Sequence, residues 1–364
     1  MALAVRFDFV YVGTCTHTTP DGRGRAEGIY ICKFDRASGH LEIVKTVQGV
    51  INPSFLTTSA DHKFLYAVNE TSGFTGQTDG SVSAFAVDSM SGALTLLNTQ
   101  PTLGASPCYI SINKTGQWAF TANYFGGSVT VLPIELDGQL GGPTVYQHHG
   151  HSIHPKRQTA PHAHSIISDP DDQYIVAADL GLDRIFVYRL DTQTGHLLPN
   201  MMPEIKTTPG SGPRHLAFHP NGRYLYVVNE LDSTVSVYDY DPSGNFGFVQ
   251  NYSTLPSDFS GANLSADIHI APSGKFLYVS NRGYNGITVF AIDYKTGYLS
   301  NAAYFASEGQ SPRNFTFDTT GNWLLVANEG SDNVTVFKVD MQSGALFPTG
   351  RRLAVPAPAC VTFR

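Results

Sequence analysis

The sequence predicts an all-β chain built as a closed ring of repeated sheets. Three observations predict it: a repeat of about 51 residues, period-two alternation inside each repeat, and a last repeat that lacks the strands with which the chain begins. The repeat is marked by seven segments in which Asp opens a Gly-containing turn. They start at Asp35 (DRASGHLE), Asp88 (DSMSGALT), Asp137 (DGQLGG), Asp191 (DTQTGHLL), Asp241 (DPSGNFGF), Asp293 (DYKTGYLS) and Asp340 (DMQSGALF). Asp at the start and Gly near the end suit a short hairpin connection.

Each turn follows an alternating apolar and small polar run, such as SVSAFAVD, SVTVLPIE, RIFVYRLD, TVSVYDYD, ITVFAID and VTVFKVD. Runs rich in Val, Ile, Phe, Tyr and Thr with period two are strands. A further strand pair precedes each run, as in PRHLAFHPNGRYLYVVNE at 213–230 and PRNFTFDTTGNWLLVANE at 312–329. Equivalent pairs start near Pro53, Pro107, Ala163 and Ser265, and a first strand alone starts at Pro358. Four strands per repeat, with no helical periodicity between them, describe a β-propeller blade. One four-stranded sheet cannot bury both faces, whereas seven stacked around an axis can.

The ends complete the pattern. The last repeat stops after Pro358–Phe363, while Phe9–Thr14 (FVYVGT) matches a second strand such as LYVVNE. The prediction is a single domain over 1–364: a seven-bladed β-propeller of four-stranded antiparallel blades, its last blade closed by N- and C-terminal strands. The repeat overrides the two or three domains that 364 residues alone would suggest.

Composition narrows the function. The 35 glycines and 21 prolines fit a turn-rich chain, and charged residues are 15% of it. The net charge of −7 argues against a nucleic-acid surface. No apolar run approaches the ~18 residues of a membrane helix, so no membrane partner is expected. The opening MALAVR lacks the features of a signal peptide, and Cys15, Cys32, Cys108 and Cys360 form no CxxC. Both fit a reducing, cytoplasmic location. Oligomeric state is left open.

Propellers bind, scaffold and catalyse, so function must come from a site. The repeats supply their own control, because a position common to all blades shows what a blade needs. In antiparallel neighbours the start of the first strand lies beside the end of the second, at one mouth of the central channel. Blades one to seven carry Ser54, Cys108, His164, Arg214, Ala266, Arg313 and Ala359 at the first point. The second point carries Thr14, Glu70, Tyr124, Leu180, Glu230, Arg282 and Glu329 in chain order. Small or apolar residues fill about half of these places, so charge there is no requirement of the blade. Arg214 and Glu230 should be neighbours on paired strands, with His164 and Arg282 from flanking blades. A structural ion pair between blades is the plain alternative, but charges gathered in a funnel are costly unless paired or used.

The stretch from His148 to His164 holds six of the 13 histidines: His148, His149, His151, His154, His162 and His164. A strand would put His162 and His164 on one face, a spacing that suits a metal. With no Cys nearby and no Asp or Glu inside the segment, a long polar inter-blade loop is the simpler reading, and no metal or cofactor is expected. Asp169-Pro170-Asp171-Asp172 sits where other repeats place a turn and is read as one. There is no G-x-S-x-G, P-loop or G-x-G-x-x-G after a strand.

The runs RQTAPHAHSIISDPDDQYIVAADLGLDRIFVYRLD, GPRHLAFHPNGRYLYVVNEL, LSADIHIAPSGKFLYVSNRG and SPRNFTFDTTGNWLLVANEGSDNVTVFKVD resemble the seven-bladed propeller lactonases. That family includes propeller-type 6-phosphogluconolactonase and 3-carboxy-cis,cis-muconate cyclase, and the resemblance covers essentially the whole chain. It implies a lactonase acting on 6-phospho-D-glucono-1,5-lactone in the pentose phosphate pathway, or a lactonising cyclase of aromatic catabolism. It also implies that His164, Arg214, Glu230 and Arg282 are the catalytic set, the quartet already isolated by the repeats. His162, His215, Arg313, Glu329 and Tyr124 are expected to bind a small anionic substrate, and the family needs no metal. Cys15 and the polar insertion PDGRGRAE at 20–27 depart from the pattern at the rim. His164 or Glu230 is the base, preferably as an acid–base pair, with Arg214 and Arg282 holding the anion. A non-catalytic interaction propeller is the rival from another class.

Overall fold

Period-two alternation becomes strand wherever it occurs. The computed structural model describes residues 7–17 and 25–364, so most of the insertion at 20–27 lies outside the described residues. Among them are seven four-stranded antiparallel sheets and one turn of 3₁₀ helix, Glu329–Ser331. Blades 1 to 6 span 56–101, 107–147, 163–206, 213–253, 265–306 and 312–354. Blade 7 takes its inner strand from Pro358–Phe363 and its outer three from residues 7–48. Val12 pairs with Val361 and Tyr11 with Thr362, so the splice expected from the sequence closes the ring.

The core is divided among the interfaces. Seven clusters of buried side chains each join two neighbouring blades. Val10, Val12, Val361 and Phe363 of blade 7 pack with Trp323, Leu325 and Val334 of blade 6. Tyr11 and Cys360 pack with Leu56 and Leu65 of blade 1. Burial of this kind, about 25 cal/mol per Å² of apolar surface, is available to a blade only in company.

The Asp turns lock the outer belt. In all seven, the Asp carboxylate accepts a hydrogen bond from the backbone N–H two residues on, as from Ala37 to Asp35 and from Gln193 to Asp191. The turn glycines Gly39, Gly92, Gly138, Gly195, Gly244, Gly297 and Gly344 all have positive φ. A Cβ at each would strike an aromatic ring of the preceding blade: Trp323, Phe9, Phe64, Trp118, Tyr174, Tyr224 and Phe276 respectively. Glycine is thus required twice over, by conformation and by contact.

Bulges shape the channel mouth. Pro213 pairs with Asn229 and His215 with Val228, so Arg214 is an extra residue in its strand. Cys108, His164, Arg313 and Ala359 occupy the same single-residue bulge. A bulge bends the strand and re-aims the side chain, here towards the axis. Opposite it, the N–H of Glu230 donates to Gly212 O, and the equivalent N–H groups of Glu70, Tyr124, Leu180 and Glu329 bond in the same way.

Candidate active site

Four elements converge on Glu230. Its carboxylate lies at the end of the second strand of blade 4, 2% exposed. Arg214 Nε donates to Oε2 at 2.9 Å from the paired strand. Arg282 Nη2 reaches the same oxygen at 2.8 Å from blade 5, and His164 Nε2 lies 4.0 Å away on blade 3. The quartet inferred from the repeats is therefore one cluster. A fifth member is Arg157, whose Nη2 lies 2.6 Å from Glu230 Oε1 and 3.1 Å from the Tyr124 hydroxyl.

Sequence reasoning missed Arg157 because its loop has no counterpart in other blades. A signal existed in blade 3. Second strands there end in Asp179, where other blades have Asn69, Asn123, Asn229, Asn281 or Asn328 bonded to Ser or Thr of their own third strand. Asp179 instead accepts from His148 Nδ1 at 2.7 Å and from the His162 N–H at 2.8 Å, pinning both ends of the loop. His148 also stacks on Phe186, with ring centroids 3.9 Å apart.

Other histidines of this segment also have structural partners. His154 Nδ1 accepts the N–H groups of Lys156 and Arg157. His162 precedes the strand rather than sharing a face of it with His164; it stacks on Tyr124 and contacts the Tyr124 carbonyl at 2.9 Å. Among the described residues no group of three or more His, Cys, Asp or Glu could hold a metal. Asp169 and Asp172 make the expected turn. Asp172 also accepts from Asn113 and the N–H groups of Lys114 and Thr115 in blade 2.

The cleft above Glu230 has a volume of about 420 Å³ and is lined by the side chains of His162, His164, Tyr124, Phe125, Cys108 and Leu264 together with charged groups. Those are Lys156, Arg157, Arg282 and Arg313 against Glu70 and Glu230, an excess of two positive charges inside a chain of net charge −7.

Three residues expected to meet substrate are placed elsewhere. Arg214, 2% exposed, spends its guanidinium on Glu230, the Ala266 carbonyl and His215 Nε2 beneath the cleft. His215 follows the bulge, and its Nδ1 meets Asp267 at 2.8 Å, so it supports Arg214 and does not reach the cleft. Glu329 is buried, 3.7 Å from Arg313, with Cys15 Sγ 3.9 Å away at the far side. Period-two reasoning located these residues around the axis but not their depth along it.

The electrostatics follow from the crowding of cations. Burial pushes the Glu230 carboxyl up, but Arg282, Arg214 and Arg157 outweigh it and hold it at about 2. Burial, then Arg214, lowers His164 well below the ordinary histidine value, so its ring is neutral at pH 7. Burial and the neighbouring Arg214 bring His215 to about 4. Burial and Arg282 bring Arg214 to about 10, still charged at neutral pH. Burial would lower Arg313, yet Glu329 and Glu70 raise it. Glu70 is raised by burial, partly offset by Arg313 and a hydrogen bond from Ser54. A neutral imidazole beside a permanent carboxylate can take a proton, and the guanidiniums can hold an anion.

The chain is similar to known proteins along nearly its whole length. Residues 9–363 match the family model described as "Lactonase, 7-bladed beta-propeller". The chain is 36% identical over 359 residues to the 6-phosphogluconolactonase of Bacillus subtilis (strain 168), covering 97% of each. It is 35% identical over 313 residues to the 6-phosphogluconolactonase of Formosa agariphila, covering 85% of this chain and 86% of the relative. Among solved structures, the periplasmic gluconolactonase of Pseudomonas aeruginosa superposes with a TM-score of 0.91 at 36% identity, covering 98% of this chain and 99% of that one.

Proposed function

The chain belongs to the seven-bladed β-propeller lactonase family, and from that premise we propose that it hydrolyses 6-phospho-D-glucono-1,5-lactone to 6-phosphogluconate. The observation that carries this reading is the carboxylate of Glu230 held by three guanidiniums under a cleft with net positive lining. Such a cleft selects an anion and favours a transition state in which more negative charge develops.

In this reading, water attacks the lactone carbonyl and His164 accepts its proton. Glu230 is occupied by three guanidiniums, and 4.0 Å away it stabilises the imidazolium that forms. Arg282 faces the developing oxyanion. On collapse, the ring C–O bond breaks and the imidazolium returns its proton to the departing oxygen. A δ-lactone opens readily in water, so the ~10²- to 10⁴-fold that one acid–base group supplies is enough.

We also propose the pentose phosphate pathway as its setting and the cytoplasm as its location. The second is supported by the buried thiols Cys32, Cys108 and Cys360, none of them in a disulfide. The test of function is lactone opening above the spontaneous rate. Turnover of the phospholactone, lost in Glu230→Gln, supports the proposal. A wild type that ignores the phospholactone but closes a carboxymuconate is a cyclase, and one that acts on neither overturns the enzymatic reading.

A further inference from the structure

The guanidiniums around the cleft are not equally committed. The side chain of Arg214 is 2% exposed, that of Arg282 11% and that of Arg313 18%, whereas that of Arg157 is 32% exposed. Arg157 is also the only one of the three partners of Glu230 that comes from a loop and not from a blade strand or its end. If it left, Glu230 would keep Arg214 and Arg282. Arg157 is therefore the exchangeable cation of the site.

Its neighbour Lys156 lines the same cleft, is exposed, and has no carboxylate partner among the described residues. The loop presenting both is built in advance. Gln158, fully buried, donates to the Leu180 carbonyl at 2.9 Å and accepts from the His154 N–H at 2.9 Å. Ser152 Oγ donates to Asp183 at 2.5 Å, and the Asp179 contacts close both ends. With their N–H groups turned onto His154, Lys156 and Arg157 extend their side chains to the mouth on a fixed base.

A phosphomonoester carries close to two negative charges at neutral pH and three acceptor oxygens. Two adjacent cations, one of them a planar fork, are the matching arrangement. Resting on the lactonase reading, we propose that Lys156 and Arg157 form the subsite for the substrate's phosphate, Arg157 exchanging Glu230 for the phosphate when substrate binds. The exchange leaves one oxygen of Glu230 open towards the reacting centre, so the loop would couple recognition of the phosphate to assembly of the catalytic pair.

The experiment compares two lactones on each protein: 6-phosphoglucono-δ-lactone and unphosphorylated glucono-δ-lactone. The proposal expects the ratio of their kcat/KM values to fall at least tenfold in Lys156→Ala and in Arg157→Ala, with Arg157→Lys between. Using a ratio removes any common effect of Arg157 on Glu230. A ratio unchanged in both variants overturns the subsite even if the enzyme is a lactonase. Titration of 6-phosphogluconate against gluconate reads the subsite without turnover. Wild type should prefer the phosphorylated acid at least tenfold, and both alanine variants should lose that preference; equal binding by wild type also overturns it. A wild type that opens neither lactone but binds 6-phosphogluconate selectively refutes the lactonase reading and keeps the subsite.

Discussion

Arg214 Nε lies 2.9 Å from Glu230 Oε2, and its Nη1 lies 3.0 Å from His215 Nε2. His215 in turn meets Asp267, whose other oxygen accepts from Asn314 and lies 3.0 Å from His269 Nε2. The catalytic carboxylate proposed above thus stands on a chain of linked polar side chains that runs through blades 4 to 6. Its members differ in what their loss would do.

Acid should unfold the protein in two stages. His164 and His215 are neutral when folded, His215 near 4, while the unfolded chain takes up protons near pH 6.5. Their contribution is complete above pH 6.5 and is lost as pH falls below it, through about 4 for His215, which alone accounts for about 3 kcal/mol. Below about 4.5, the unfolded carboxyl value, the depressed Glu230 adds a second loss down to about 2. Urea midpoints measured across this range should fall with pH, and His215→Asn should flatten the upper stage. An unchanged slope in that variant would refute the assignment.

Glu230→Gln keeps the shape and removes the charge. It should lower kcat by about 10²-fold or more, with a smaller change in KM, because the loss is felt when His164 becomes positive. His164→Ala should lower kcat similarly. Full background-corrected rates in both variants would remove these residues from the mechanism.

Arg282→Ala and Arg214→Ala should separate activity from stability. Arg282 lines the cleft, and its loss should reduce kcat/KM by about 10- to 150-fold, equivalent to about 1.5–3 kcal/mol. Arg214 lies beneath, and its loss takes a donor from the Ala266 carbonyl and from His215 Nε2 and a cation from Glu230. That variant should be destabilised by about 3–5 kcal/mol. Thermal melts beside kinetics decide the matter; equal stability losses in the two would contradict the difference in depth.

The outer belt makes a sharper test of packing. Gly195 and Gly222 have φ of 72° and 69°, but only at Gly195 would a Cβ meet a ring, that of Trp118. Gly222→Ala should cost about 1–2 kcal/mol for its conformation. Gly195→Ala should cost about 1–3 kcal/mol more for the collision. Equal denaturant midpoints for the two variants would show that the aromatic contact carries no constraint.

Legibility followed repetition. The splice of Pro358–Phe363 onto Phe9–Thr14 and the gathering of His164, Arg214, Glu230 and Arg282 were readable because six other blades showed what is ordinary at each place. Arg157 had no such comparison, as its loop occurs once. His215 was misjudged because the bulge at Arg214 shifts the alternation by one residue, which pairing alone reveals. The aromatic rings over the turn glycines were also unforeseen, since each contact joins residues in different blades.

Removing the last seven residues should unlatch blade 7. Tyr11, Val12, Val361 and Cys360 are all at most 2% exposed, so the deletion uncovers apolar side chains on both neighbouring interfaces. Dye binding should rise and the melting temperature should fall sharply. A truncated chain that melts like the full one would contradict closure through this strand.

That same strand sets an order of events during synthesis. Residues 7–48 leave the ribosome well before the inner strand of their sheet, which lies at 358–363. The nascent chain therefore carries an unpaired sheet edge until that strand has emerged. The six complete blades can form as they emerge, but they stay an open arc until residues 358–363 join the first sheet. Closure by that strand is therefore a late step of native packing, and the interval before it is when the chain is most exposed to misassociation.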